Sequence, residues 1–284
     1  MSIAHSFMRD FGVLRWLILS VVWSGSSATA AFERFPEGGR CSAMGGAMTA
    51  VPHDAWASLS NPALLATLEE QCGGISWTPG MFGLPELRRT SGVLTTAVGE
   101  GSVAAHLEDF GFDQYRETTV GVLYGCRLNP LFNVGVALRW CGVAIRDYGS
   151  DWTLSLDAGV VCTLADDLSL GFSACNINRA TIGAAKESIP QSIRVGVVLL
   201  PMPEVTFCGE LSKESRFPSV IAFGLEYRIA AQCAVRGGIT TGEPQYSAGL
   251  GFRVSAIRLD YAVTSHAELG ATHLISITVD PSML

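Results

Sequence analysis

His106 and Glu108 stand two residues apart, so on a strand they share one face, where an imidazole and a carboxylate can work as a general acid–base pair. His53 beside Asp54, His266 and His273 are the other imidazoles placed for such chemistry. No Gly-x-Ser-x-Gly, HExxH or Walker pattern accompanies any of them. A lone histidine near a strand rim usually serves structure, so no enzyme activity is expected. Asp166-Asp167 offers two carboxylates, but the further spaced oxygens that calcium needs are missing and the pair sits at a turn. The eight cysteines are scattered, with no CxxC or zinc spacing. Cys126, Cys162 and Cys233 fall in phase with apolar positions, and Cys141, Cys175 and Cys208 with polar ones. Only Cys41 and Cys72 flank a single segment and make a pair to test for a bridge. No metal and no cofactor is expected.

The other charges say more as a set. Arg139, Asp157, Arg194, Glu210, Glu226, Arg228, Arg253, Arg258 and Asp260 all fall on the polar positions of segments that alternate with period two. In one of them Phe132, Val134, Val136, Leu138 and Trp140 alternate with Asn133, Gly135, Ala137 and Arg139. The same alternation runs through 152–164, 193–199, 223–229, 246–254 and 257–263. Segments of about ten residues with strict alternation, separated by turn residues, are the signal of transmembrane strands. About fourteen are present, beginning near Gly74, Leu87, Ser102, Thr118, Phe132, Trp152, Leu168, Ser192, Glu204, Ser219, Gln232, Gln245, Ala256 and Thr272. An even count suits an up-and-down barrel, which has no free edge.

A soluble β-sandwich alternates too, with its apolar face inside. Its polar face would meet water and favour Lys, Glu, Thr and Ser. Here that face carries Gly121, Gly125, Gly135, Gly159, Gly171, Gly196, Gly224, Gly249 and Gly251. Glycine weakens a strand and marks close approach by other backbone. A lumen filled by another part of the chain accounts for it, and the inward Arg, Asp and Glu can pair there. The expected fold is an all-β transmembrane up-and-down antiparallel barrel of about 14 strands with an N-terminal luminal plug; a sandwich is the alternative.

The filling segment is residues 42–65, SAMGGAMTAVPHDAWASLSNPALL, which is small, Gly/Ala-rich and weakly charged. Gly45 and Gly46 permit tight turns. Asp54 can cap a short helix through Ala55, Trp56 and Leu59, and Asn61-Pro62 ends it. Trp56 and Leu59 are expected to pack on the strand glycines, with Asp54 turned toward inward arginines.

Arg9 and Arg15, an apolar run from Trp16 to Trp23 and Ala28-Thr29-Ala30 make residues 1–30 a secretory signal with cleavage near Ala30. The run is too short for a membrane anchor, the other reading. The expected organisation is 1–30 signal, 31–71 plug and 72–284 barrel. The net charge of −7 becomes about −8 without the signal, and no basic run is present, which excludes nucleic acid as a partner. The chain ends Asp280-Pro281-Ser282-Met283-Leu284, without the C-terminal aromatic of many such barrels. Either Val279 closes the last strand or insertion is inefficient.

Met44-Gly45-Gly46-Ala47, Thr49-Ala50-Val51, Asp54 and Asn61-Pro62-Ala63 together resemble the N-terminal signature of the PorV/PorQ family, in the wider FadL-like group of bacterial outer-membrane barrels. His53 stands where that signature has its first acid, and Leu64 where it has glycine. Leu225-Glu226-Tyr227, Ser247-Ala248-Gly249-Leu250-Gly251, Leu259-Asp260-Tyr261 and Leu269-Gly270-Ala271-Thr272-His273 follow in the family's order. The resemblance implies a fourteen-stranded barrel in a Gram-negative outer membrane, with lipid around it. Its PorV/PorQ side implies an interaction component linked to type IX secretion and surface attachment, with secreted proteins or secretion components as partners. Its FadL side implies passage of hydrophobic small molecules past an N-terminal hatch. Short loops tilt the expectation toward the interaction role.

Overall fold

The computed structural model describes residues 31–281 except positions 69 and 243; the signal expectation for 1–30 lies outside the described residues. Fourteen antiparallel strands close into a barrel. They are β1 (Cys72–Thr78), β2 (Arg89–Val98), β3 (Gly101–Phe112), β4 (Tyr115–Arg127), β5 (Phe132–Ile145), β6 (Gly149–Ala165), β7 (Leu168–Cys175), β10 (Ser192–Met202), β11 (Val205–Glu214), β12 (Val220–Ala230), β13 (Cys233–Thr240), β14 (Gln245–Val254), β15 (Ile257–His266) and β16 (Gly270–Val279). Each pairs with its sequence neighbour, and β1 closes on β16 in the register Gly73↔Val279 to Trp77↔Ile275. A small hairpin, β8 (Thr181–Ile182) with β9 (Glu187–Ser188), rides in the connection from β7 to β10. No helix among the described residues is long and apolar enough to cross a membrane.

The alternating side chains sort onto two faces because strand side chains point alternately out and in. Val136, Trp140, Leu154, Val195, Phe223, Leu250 and Leu259 are exposed on the outer face, while Arg139, Asp157, Glu226, Ser247 and Asp260 are buried inside. This excludes the sandwich, whose apolar face would be the hidden one. Trp77, Trp152 and Tyr246 stand outward near one rim, and Phe132, Tyr227 and Phe252 near the other. Two aromatic girdles around an apolar band are the profile of a barrel set in a bilayer.

The two rims differ. One is joined by tight turns at 99–100, 128–131, 166–167, 203–204, 231–232 and 255–256. The other carries connections at 79–88 and 176–191 as well as shorter ones. Most connections are a few residues long, as expected; in the longer 176–191, Asn176 side-chain bonds to Ala180 and Ile189 organise a folded cap that carries β8 and β9. Val279 does close the last strand, and Asp280 N–H donates to Ala256 O.

Candidate functional site: the luminal segment and its anchors

Residues 31–68 run inside the barrel, and their apolar side chains make most of its core. Met44, Met48, Trp56, Leu64 and Leu65 are fully buried and pack on Val93, Leu123, Val161 and Val198 of the wall. The segment folds as two short helices, α1 (Gly39–Ala43) and α2 (Ala57–Ser60), then a 3₁₀ stretch over Pro62–Thr67. Gly45 and Gly46 follow α1 with φ of 65° and 77°, a region that side chains disfavour. Asp54 Oδ1 accepts from the N–H groups of Trp56 and Ala57 at 2.9 and 3.3 Å, the capping expected of it, and the regular turn of α2 follows from Ala57. Asn61 leaves the helical region, and its Oδ1 accepts from Ala63 N–H at 3.1 Å to begin the 3₁₀ stretch, which the sequence reading had not separated.

Six charged groups form a closed ring between segment and wall. Arg40 donates to Glu226 through Nε and Nη2 (2.9 and 2.8 Å) and to Asp54 through Nη1 (3.2 Å). Arg236 joins Glu226 (2.5 Å) to Asp260 (2.7 Å), and Arg258 joins Asp260 (2.8 Å) back to Asp54 (3.0 Å). Arg40 and Asp54 belong to the segment; the others come from β12, β13 and β15. Gly251 on β14 lets the ring close, since a Cβ there would run into the Arg236 guanidinium and Asp260 Oδ1. Burial pushes the Asp54 carboxyl up, but Arg258 and Arg40 outweigh it and hold it below the usual carboxylate range.

Two further anchors lie nearer the rim with the longer connections. Asp157 takes Arg34 at 2.7 Å and Arg139 at 2.8 Å, while Arg139 Nη2 donates to Leu59 O at 2.9 Å. Glu37 meets His106 Nε2 at 2.8 Å, Ser91 Oγ, and Arg89 at 3.5 Å; Arg89 also holds Glu108 at 2.7 Å. His106 and Glu108 thus face each other through Arg89 and Glu37. Glu37, His106 and Glu108 are close enough to hold a cation, but the Arg89 guanidinium already supplies the positive charge there.

The inward glycines let the segment's backbone lie on the wall. A Cβ at Gly125 or Gly135 would strike Pro62, at Gly159 Asn61, at Gly171 or Gly196 Thr49 and Ala50, at Gly224 Met44, and at Gly249 Ala43. Asn61 reaches Val160 O at 3.2 Å. Trp56 does rest on a strand glycine, Gly74, and donates from Nε1 to Thr278 Oγ1 at 3.0 Å. Leu59 is buried in the same core, and its carbonyl accepts from Arg139. Gly121 makes room for His106 instead.

The other residues singled out by sequence separate. Arg194 stands 4.0 Å from Glu210, whose Oε2 accepts from Thr49 N–H at 3.1 Å. Arg228 and Arg253 lie at the turn rim and form no ion pair among the described residues. His53 bonds Thr67 O, His266 accepts from Glu268 and Leu269 N–H, and His273 meets the Tyr261 hydroxyl: each ties a loop or strand. Asp166 and Asp167 are the β6–β7 turn. All eight cysteines are free thiols, so the Cys41–Cys72 bridge is absent. Sequence reading missed Arg34, Glu37, Arg40, Arg89 and Arg236. Arg34, Glu37 and Arg40 look like a solvated leader in ERFPEGGR, and only their alternation of sign hinted at partners.

Cavities beside the segment are small on the loop side, about 50 Å³ next to Arg34 and Ser155 and about 100 Å³ next to Phe35 and Thr272. A larger one of about 340 Å³ opens at the turn rim, next to Val51 and His53.

No family model and no curated protein matches the chain. Solved structures share its fold. The Ralstonia pickettii toluene transporter TbuX has a TM-score of 0.67 at 13% identity, over 88% of this chain and 99% of that one. The CymD monoaromatic hydrocarbon channel gives 0.65 at 13%, over 88% and 99%. A Pseudomonas aeruginosa FadL homologue gives 0.62 at 13%, over 89% and 100%. The fold is FadL-like, which is the wider of the two resemblances carried by the sequence motifs.

Proposed function

We propose that the chain is a Gram-negative outer-membrane barrel that admits small hydrophobic molecules, with residues 31–68 as a hatch that must shift for passage, reached after a signal is cleaved near Ala30. The observation that carries this is the filled lumen. The loop-side cavities of about 50 and 100 Å³ are smaller than the ~150 Å³ apolar cavity known to take benzene, so nothing of that size passes a stationary segment. The apolar outer band and girdles support the membrane setting, and the longer connections belong to the outer surface on the general pattern of such barrels. The solved structures of like fold are named as hydrocarbon and toluene channels or transporters, which favours this reading.

A closed lumen also suits a barrel that never opens and works through its surface. That is the export-linked, PorV/PorQ-type role with secreted proteins as partners. The mostly short connections favour it, and the folded 176–191 connection weighs against it.

A native thiol separates the two readings. A Cβ at Gly224 would lie 2.7 Å from Cys208 Sγ and 2.8 Å from Met44 Cβ, so Met44→Cys puts a second thiol beside the wall's Cys208, to be joined to it by oxidation or a short thiol–thiol cross-linker. Oxidised Met44→Cys is expected to lose toluene uptake and regain it with reductant, whereas Met44→Cys with Cys208→Ala is indifferent to oxidation. Uptake by the bridged form equal to the reduced form would remove the hatch reading and leave the surface role.

A further inference from the structure

We propose that the 340 Å³ cavity at the turn rim binds a small organic or inorganic oxyanion, a carboxylate or a phosphate. Its charge is lopsided. The three ring arginines, Arg40, Arg236 and Arg258, form its inner wall, and Arg228 and Arg253 its mouth. Against these five guanidinium groups it shows two carboxylates, Glu226 and Asp280. The three ring arginines are balanced by Glu226, Asp54 and Asp260, so the charge left to the cavity is that of Arg228 and Arg253 against Asp280. Arg228 and Arg253 are the surplus: neither makes an ion pair among the described residues, although each stands on an inward strand position beside the buried network. Guanidinium groups in a concave, partly dry site are suited to forked binding of carboxylate and phosphate. Val51, Leu200 and Ala234 add apolar surface, enough for an anion with a small hydrocarbon body.

The site is independent of what crosses the membrane, and its test is a binding measurement. Benzoate and inorganic phosphate are titrated calorimetrically into the folded, detergent-solubilised protein and into Arg228→Gln/Arg253→Gln. Heat-modifiable migration on gels checks that the variant barrel is closed, and the single Arg228→Gln, at an exposed rim position, serves if the double variant is not. Saturable binding of at least one probe is expected, weakened at least tenfold in the double variant and measurably in the single one. Binding of benzoate alone assigns a carboxylate with an apolar body, and of phosphate alone a compact oxyanion. Failure of both probes to bind, or equal affinity in wild type and variants, overturns the proposal.

Discussion

Asp54 and Arg258 lie 204 residues apart in the chain and meet through a 3.0 Å bond from Arg258 Nη2 to Asp54 Oδ2. The same oxygen takes Arg40 at 3.2 Å, so one carboxylate atom joins a luminal helix to the barrel wall. Removing its charge leaves Arg40 with Glu226 alone and Arg258 with Asp260 alone, so the buried ring carries one surplus positive charge. Asp54→Asn is expected to loosen the segment by about 3–5 kcal/mol, the range for breaking one side of a buried pair. The readout is conductance in planar bilayers: the variant should flicker open where the native barrel stays closed. A variant as quiet as wild type would mean that the ring does not hold the segment.

Acid should release the segment late. The Asp54 carboxyl is depressed because Arg258 and Arg40 outweigh the effect of its burial. A depressed carboxyl stabilises the folded form at every pH above its unfolded value, and the stabilisation fades as pH falls through the folded value. The closed state should therefore persist from neutrality to about pH 4 and open only in stronger acid. Conductance followed against pH checks this. A step between about pH 6 and 7 would mean that the Asp54 carboxyl does not control release.

Neighbouring residues on β5 should respond in opposite ways. Val136 faces outward and is 57% exposed, so Val136→Arg puts a charge against lipid, at a cost of up to about 2–4 kcal/mol at mid-depth. Gly135 faces inward, and even Gly135→Ala collides with the Pro62–Ala63 backbone. Equilibrium unfolding from vesicles should show Val136→Arg lowering barrel stability with the lumen still closed. Gly135→Ala should leave insertion intact and raise conductance. Interchanged phenotypes would reverse the assigned faces.

The strands were legible because their outer face obeys one rule along the whole chain. Every expected strand start falls within a few residues of the observed one, as at Phe132, Leu168, Ser192 and Gln245, where they coincide. The inner face follows partners distant in sequence, and there the reading thinned. Arg236 was missed because Gly237 and Gly238 beside it blur the alternation of β13, so its inward direction is visible only in the register with Glu226 and Gly249. Arg40 gains meaning only from Glu226, 186 residues away. Asp54 was readable because it stands alone in an apolar stretch, where a carboxylate needs a cation.

The six-membered ring divides in a telling way. The luminal share, Arg40 and Asp54, sums to zero, and so does the wall share, Glu226, Arg236, Asp260 and Arg258. Each share also keeps internal pairs: Arg40 with Asp54 on one side, and the chain Glu226–Arg236–Asp260–Arg258 on the other. Only two links, Arg40–Glu226 and Arg258–Asp54, cross between them. Withdrawal of the segment would thus leave two neutral, self-satisfied halves and no stranded charge. A fastening of this kind is reversible as a whole, because the partners part in balanced sets, whereas the loss of any one member leaves a net charge behind.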